Sequence, residues 1–103
     1  MAITANPSVQ NGASITAKGT KTFYNITANT VVKATTGRVA RISVLVAGAA
    51  GGVYDAATVA AGTSANQIAV IPAVVGVYEI DFPVFNGIVL KPGAAQVLAI
   101  SYI

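Results

Sequence analysis

The last third of the chain, from Gly76 to Ile103, carries the clearest alternation of apolar and polar residues. Between Val77 and Val84 every second residue is apolar, which places Tyr78, Ile80, Phe82 and Val84 on one face. Between Ala95 and Ile103 the alternation returns, with Gln96, Leu98, Ile100 and Tyr102 on one face. A period of two residues is typical of β-strands that bury one side.

Two turn signals divide this region. Asn86-Gly87 follows the first alternating run, and Pro92-Gly93 follows the short apolar segment from Ile88 to Lys91. Both dipeptides favour tight turns. The pattern therefore predicts three strands joined by two tight turns.

Shorter runs of the same kind precede this region. The best of them, Arg38 to Ala47, places Ala40, Ile42, Val44 and Val46 on an apolar face, and Lys21 to Ala28 places Tyr24, Ile26 and Ala28 on one face. Further strands are predicted at Thr30 to Ala34, Val53 to Asp55 and Gln67 to Pro72. Between Asp55 and Gly62 the sequence allows either one helical turn capped by Asp55 or a loop.

Together these segments predict an all-β chain with seven or eight short antiparallel strands. Such a number of strands in about 100 residues indicates a single-domain β-sandwich or jelly roll. Residues 1–20 are rich in small polar residues and predict an extended arm, and residues 21–103 predict the sandwich domain. The arm is either a frayed terminus or a segment that clasps a neighbouring molecule.

Composition favours assembly. Hydrophobic residues make up 54% of the chain and charged residues 9%, against roughly 25% charged residues in a typical soluble domain. A chain this small must expose apolar surface or bury it against partners, so we expect a homo-oligomer, either a trimer or a dimer. The longest apolar run, Val44 to Gly52, is about half the ~20 residues of a membrane-spanning helix.

Charge is unevenly distributed. Residues 1–50 contain five basic residues and no acid, whereas residues 51–103 contain one lysine and three acids. The cations are either solvated residues at strand edges or a basic face that docks on an acidic protein surface. A net charge of +3 without a stacking platform does not favour nucleic acid. The candidate contact residues are Lys18, Lys21, Arg38 and Arg41, together with Phe85, which adjoins a predicted turn.

The residue types offer little chemistry. Histidine, cysteine and tryptophan are absent, which removes histidine-based triads, thiol nucleophiles and most zinc sites. We expect no catalytic, cofactor or metal site. Gly48 to Gly52 lacks the spacing of a phosphate-binding loop.

The three acids allow two weak alternatives. Glu79 and Asp81 lie two residues apart on one strand, a spacing that could serve glycoside hydrolysis but is better explained by two solvent-facing acids. A calcium site that includes Asp55 would need more oxygen ligands than the chain brings together. Tyr78, Phe82 and Tyr102 are expected to fill the core, whereas Phe85 is the best candidate for an exposed anchor.

The order of these segments resembles small virion proteins of tailed bacteriophages, among them head-decoration (cement) proteins and modules of fibre and tail proteins. The resemblance covers residues 37–103 and is carried by GRVARISVLVAG, VYDAATVAAG, QIAVIP, GVYEIDFPVFNGIVLKPG and QVLAISY. It implies a β-rich fold, no enzymatic activity and self-association. It also implies the major capsid protein as partner and a place on the capsid surface after assembly in the host cytoplasm. The alternative is a receptor- or glycan-binding module of a tail or fibre, which would expose an aromatic residue such as Phe85 or Tyr54.

Overall fold

The computed structural model describes residues 19–103, so most of the predicted arm, including Lys18, lies outside the described residues. The described chain forms eight strands and one short 3₁₀ helix at Ser64–Asn66. The strands are β1 (Lys21–Ile26), β2 (Thr30–Lys33), β3 (Gly37–Val46), β4 (Gly51–Asp55), β5 (Gln67–Ile71), β6 (Gly76–Val84), β7 (Ile88–Lys91) and β8 (Val97–Tyr102).

The strands build two four-stranded antiparallel sheets. Sheet A has the order β1-β8-β3-β6, and sheet B has the order β2-β7-β4-β5. The all-β sandwich predicted from the alternating pattern is therefore confirmed. Pairing of the first strand begins at Thr20, whose N–H donates to the carbonyl of Tyr102 at 3.0 Å.

The topology is that of one long hairpin rolled into two layers. The first strand pairs with the last, β2 with β7, β3 with β6 and β4 with β5. Consecutive strands change sheet at every step except between β4 and β5. This strand order is the jelly roll, the more specific of the two predicted arrangements.

The topology corrects the expectation for the last third of the chain. The strands β6, β7 and β8 do not pair with one another, because β6 and β8 lie in sheet A and β7 lies in sheet B. The Asn86-Gly87 and Pro92-Gly93 segments therefore carry the chain from one sheet to the other. Local turn propensity marks where a chain reverses, but it does not tell which strand comes next in the sheet.

The core lies between the sheets and consists of branched aliphatic residues. Its fully buried members are Ile26, Val39, Ile42, Val44, Val53, Ile71, Val84, Ile88, Leu90, Leu98 and Ile100. Tyr78, Ile80 and Tyr102 pack against this cluster as predicted, but Phe82 at the edge of sheet A remains half-exposed. The apolar faces predicted for β6 and β8 thus face the core over most of their length.

Bulges displace two of the predicted faces. In β1, Phe23 pairs with Ile100 and Ile26 with Leu98, so two residues of β1 between these pairs lie opposite one residue of β8. Asn25 accommodates the extra residue at φ 55°. As a result Tyr24, predicted to share a face with Ile26, is 72% exposed, whereas Ile26 is buried. In β3, register shifts beside Ala40 and Leu45 bury Val39 and leave Val46 exposed.

Residues 56–62 form a loop instead of a helical turn. Its end is closed by a hydrogen bond of 3.1 Å from Gly62 N–H to the carbonyl of Val59. The Asp55 side chain caps no helix and is used elsewhere, as described below. The 3₁₀ helix that follows is capped by Thr63, whose hydroxyl accepts from the N–H of Ala65 at 3.4 Å.

In residues 19–103, the structure contains no helix with the length and apolar character needed to cross a membrane.

Candidate interaction surface

Three of the predicted contact residues lie at the same end of sheet A, although Lys21 and Phe85 are at its opposite edges. Lys21 is in register with Tyr102, and Tyr102 is in register with Val39, the neighbour of Arg38. Gly37 is in register with Val84, so Phe85 lies at the same end. We call this region, where β1 and β3 begin and β6 and β8 end, the Phe85 end.

The other two predicted contact residues lie apart from it. Arg41 is midway along β3, in register with Ser101 on one side and Glu79 on the other. Lys18 is outside the described residues.

The turn that carries Phe85 is held by the carboxylate of Asp55, the last residue of β4. The N–H of Asn86 donates to Asp55 Oδ1 at 2.8 Å, the N–H of Gly87 to Oδ1 at 3.3 Å, and the N–H of Phe85 to both oxygens at 3.1 Å. Burial raises the pKa of Asp55, but the three N–H donors lower it, and the net pKa lies below the usual 3.8. Asp55 therefore holds the turn as an anion.

The same turn is packed tightly beneath. A Cβ atom on Gly87 would collide with the carbonyl oxygens of Lys33 and Ala56. Ala56 N–H also donates to the carbonyl of Gly87 at 3.2 Å, and the hydroxyl of Thr36 donates to the carbonyl of Phe85 at 3.0 Å. The backbone is thus fixed on both sides, while the Phe85 side chain is 75% exposed, as predicted.

The two arginines of β3 are paired with acids of β6. Arg38 Nη2 lies 2.8 Å from Asp81 Oδ1, and its Nε donates to the same oxygen at 2.9 Å. Arg41 Nη2 lies 3.1 Å from Glu79 Oε1. Because β3 pairs with β6, cations from the basic half of the sequence lie beside acids from the acidic half, and the outer face of sheet A is electrically mixed.

These ion pairs also bear on the hypothesis that Glu79 and Asp81 hydrolyse glycosides. Both carboxylates lie on the exposed side of β6, as predicted. Each one is bound to its own arginine, so they do not converge on a shared substrate position as a glycosidase pair does. No group of three acidic side chains able to hold a metal ion occurs in the part of the chain that the structure describes.

The remaining lysines of the strands are tied to carbonyl oxygens. Lys33 Nζ donates to the main-chain oxygen of Ile103 at 3.1 Å, and Lys91 Nζ donates to the carbonyl of Gly62. Lys91 also lies 5.1 Å from the centre of the Tyr54 ring, within the range of a cation–π contact. Tyr54 is half-buried beneath it, so the interpretation of Tyr54 as an exposed anchor is wrong.

A shallow depression of about 190 Å³ lies on the outer face of sheet A. It is lined by Thr22, Arg41, Ser43, Val77, Ala99, Ile100 and Ser101. One of its hydroxyls, that of Ser101, accepts from the backbone N–H of Arg41 at 3.1 Å. The surface that the depression exposes is almost wholly apolar.

The opposite end of sheet A is aliphatic. Its exposed side chains, which we call the valine end, are Leu45, Val46, Val74, Val75 and Val77. The neighbouring Pro92-Gly93 turn is held by Gln96, which is 1% exposed. Gln96 Oε1 accepts from the N–H of Gly93, and Nε2 donates to the carbonyl of Pro72, each at 3.1 Å.

Sequence reasoning missed three of these features. The exposure of Tyr24 depends on a bulge, the role of Asp55 depends on a contact 30 residues away, and the valine end joins residues from β3 and the β5–β6 connection. Of the three features, only the valine end had a signal in the sequence. Val74, Val75 and Val77 flank a glycine, whereas a buried strand would continue without one.

Comparison with known proteins gave no match. No family model, no curated protein and no solved structure matches the chain.

Proposed function

We propose that this protein is a non-enzymatic structural component of a tailed-phage virion, most specifically a decoration protein that binds the outside of the head and stabilises the shell. The fold supports this proposal, because eight-stranded jelly rolls occur in viral capsid proteins and in lectins. Fold alone does not assign a function, so the argument depends on the surface.

The observation that carries the proposal is the rigid exposure of Phe85. A 75% exposed aromatic side chain on a turn held by three backbone hydrogen bonds to Asp55 loses little entropy when it binds. Aromatic anchors of this kind supply a large part of the binding energy in many protein interfaces. Lys21 at the same end would favour an acidic protein surface through charge complementarity.

The proposed mechanism is mechanical. The Phe85 end binds the major capsid protein, and the sandwich spans adjacent capsid subunits and contacts other copies of itself. Opening the shell then requires these contacts to break as well as those of the shell. The arm, with Lys18, would add further contacts in this proposal.

The test is co-sedimentation of the purified protein with heads prepared without it. We expect binding at moderate salt that weakens as salt rises, because part of the attraction is electrostatic. Phe85→Ala should lose most of the binding with an unchanged unfolding midpoint, because this side chain is exposed. Tyr24→Ala, which removes an equally exposed ring elsewhere on sheet A, is the matched control. No co-sedimentation of the unaltered protein would overturn the proposal.

A glycan- or receptor-binding module is the second candidate, and a different observation favours it. Tyr24 is 72% exposed, and the depression on the same sheet is lined by Thr22, Ser43 and Ser101. Sugar sites commonly combine an aromatic ring with polar groups. Binding on a glycan array that disappears in Tyr24→Ala would support this candidate, and a blank array would dismiss it.

A further inference from the structure

The outer edge of β6 has the properties of a strand that pairs with another strand. Within residues 19–103, β6 pairs only with β3, so it is the last strand of sheet A on that side. Every second residue of such a strand turns its N–H and C=O away from its neighbour. An edge of this kind is a template for another chain unless it is blocked.

Only half of this edge is blocked. Asp81 has φ 53° and lies at a register shift, and Pro83 lacks an N–H. The other half, Gly76 to Glu79, contains no proline or lysine, and its residues are in continuous register with β3. Four regular residues, Gly76 to Glu79, are therefore open to pairing.

The surroundings of the open half are apolar. Val77 is 66% exposed, and Val75 and Val74, just before the strand, are 63% and 61% exposed. Leu45 on the adjacent β3 is also exposed. Contiguous exposed aliphatic side chains on a small protein indicate a surface that another molecule covers.

The charges at this edge identify the occupant as a second copy. The one acid within the open half, Glu79, is already paired with Arg41 at 3.1 Å. A locally neutral edge offers no attraction to a strongly basic or acidic partner, but it can meet an identical edge without opposing like charges, provided that the register is right.

The register follows from the same residues. Antiparallel pairing of two β6 strands about a two-fold axis at Glu79 would place the two Glu79 side chains opposite each other, which is unfavourable, and would extend into the irregular half. An axis at Tyr78 keeps the central pairs, from Val77 to Glu79, within the regular segment. It places Val77 of each copy opposite Glu79 of the other.

We propose that two copies of this chain associate through β6, antiparallel and with a two-fold axis at Tyr78. Sheet A then continues across the axis as one eight-stranded sheet. The two Tyr78 rings meet on the inner face. This inference deepens the self-association within the proposed function, but it does not depend on binding to a capsid.

Thiol cross-linking tests the register, because the natural sequence contains no cysteine. Val77→Cys and Glu79→Cys both alter exposed residues, so both variants are expected to fold. Equimolar mixing under mild oxidation should give a disulfide-linked heterodimer, because positions 77 and 79 of different copies lie opposite each other. Each variant alone should cross-link several-fold less, because identical positions are then diagonal and beyond disulfide reach.

Charged substitutions at position 77 provide an independent test, in which dimerisation is measured by sedimentation velocity at several protein concentrations. In Val77→Glu, the new carboxylate of each copy would lie opposite Glu79 of the other, which gives two repulsive pairs per dimer. This substitution should weaken dimerisation by about tenfold or more. Val77→Lys, equally polar and exposed, would face the same carboxylate and should leave the dimer within about threefold of the natural protein.

Two results would overturn the proposal. One is a monomer at all concentrations with no cross-linking in the mixture, as expected if residues 1–18 or nothing covers the edge. The other is equal weakening by Val77→Glu and Val77→Lys, as expected if the contact has another register. Neither result would change the outcome of the co-sedimentation experiment with heads. Dimerisation through β6 and binding to heads are therefore tested independently.

Discussion

The Asn86-Gly87 and Pro92-Gly93 turns look equivalent in the sequence but are held in different ways. Both lie in the last third of the chain, and both carry it between sheets. The first is held by the charged side chain of Asp55, 30 residues earlier. The second is held by the neutral, buried side chain of Gln96, which binds Gly93 three residues away and Pro72 24 residues away.

This difference shows which properties of a turn its dipeptide predicts and which it does not. Asn-Gly and Pro-Gly lower the conformational free-energy cost of reversing the chain. The side chain that binds the reversed backbone then fixes the turn in place. A charged, partly exposed anchor allows a rigid turn that still presents its tip to solvent. A neutral, buried anchor ties the turn to the protein interior, although Ala94 and Ala95 remain exposed.

The largest effect is expected at the buried anchor. Gln96→Ala leaves the Gly93 N–H and the Pro72 carbonyl without their partner and creates a cavity, so it should lower the free energy of unfolding by about 3 kcal/mol. Urea denaturation followed by circular dichroism measures this loss. Gln67→Ala is the matched control, because Gln67 is half-buried and donates only to the nearby Ala69 at 3.3 Å. A loss below that of the control would contradict the assigned role of Gln96.

A smaller loss is expected at the charged anchor. Asp55→Ala removes three charge-assisted hydrogen bonds from the turn and should cost about 2 kcal/mol. Hydrogen exchange should accelerate at the amides of Phe85, Asn86 and Gly87 and stay unchanged around Gly93. Asp81→Ala, which removes an exposed acid, should affect neither region, and faster exchange at both turns would erase the distinction between them.

The two anchors should also differ in their response to acid. The folded-state pKa of Asp55 lies below 3.8, so its stabilisation is complete above that value and is lost as the pH falls through the lower folded-state pKa. The unfolding midpoint should therefore fall more in the natural protein than in Asp55→Asn between about pH 5 and about pH 2. Gln96→Ala should keep the full pH dependence, since Gln96 does not titrate. Parallel pH curves for the natural protein and Asp55→Asn would refute this assignment.

The smallest effect concerns the ion pairs between the two ends. A double-mutant cycle on Arg38 and Asp81 should give a coupling of about 0.5 kcal/mol that decreases with salt, because exposed pairs are solvated and screened. The cycle on Arg41 and Glu79 should give the same value or less, since its contact is longer, 3.1 Å against 2.8 Å. A coupling above about 1.5 kcal/mol in either cycle would mean that the outer face is less accessible to water than its exposure indicates.

The strands could be predicted from local sequence, but their arrangement could not. The run Arg38 to Ala47 is a strand within one residue at each end, because alternation is a property of neighbouring residues. That β3 lies between β6 and β8 depends on contacts about 40 to 60 residues apart along the chain. No local pattern encodes this arrangement.

The candidate surface could also be predicted only in part from the sequence. Exposure of Phe85 follows from its position beside a turn. The pairing of Arg38 with Asp81 and Arg41 with Glu79 could not be inferred, because it requires the register of β3 against β6. The prediction that Tyr24 and Ile26 share a face is wrong, because a single bulge residue, Asn25, reverses the alternation between them.

The position of β8 in the middle of sheet A sets the order in which the protein can fold. Its neighbours β1 and β3 are made first, but neither can complete its hydrogen bonding until Val97 to Tyr102 has been synthesised. Closing such long loops is slow, and unpaired strands in the waiting chain are prone to aggregate. A nascent chain stalled before β8 could pair the strands of sheet B, but sheet A can be completed only after this strand has left the ribosome.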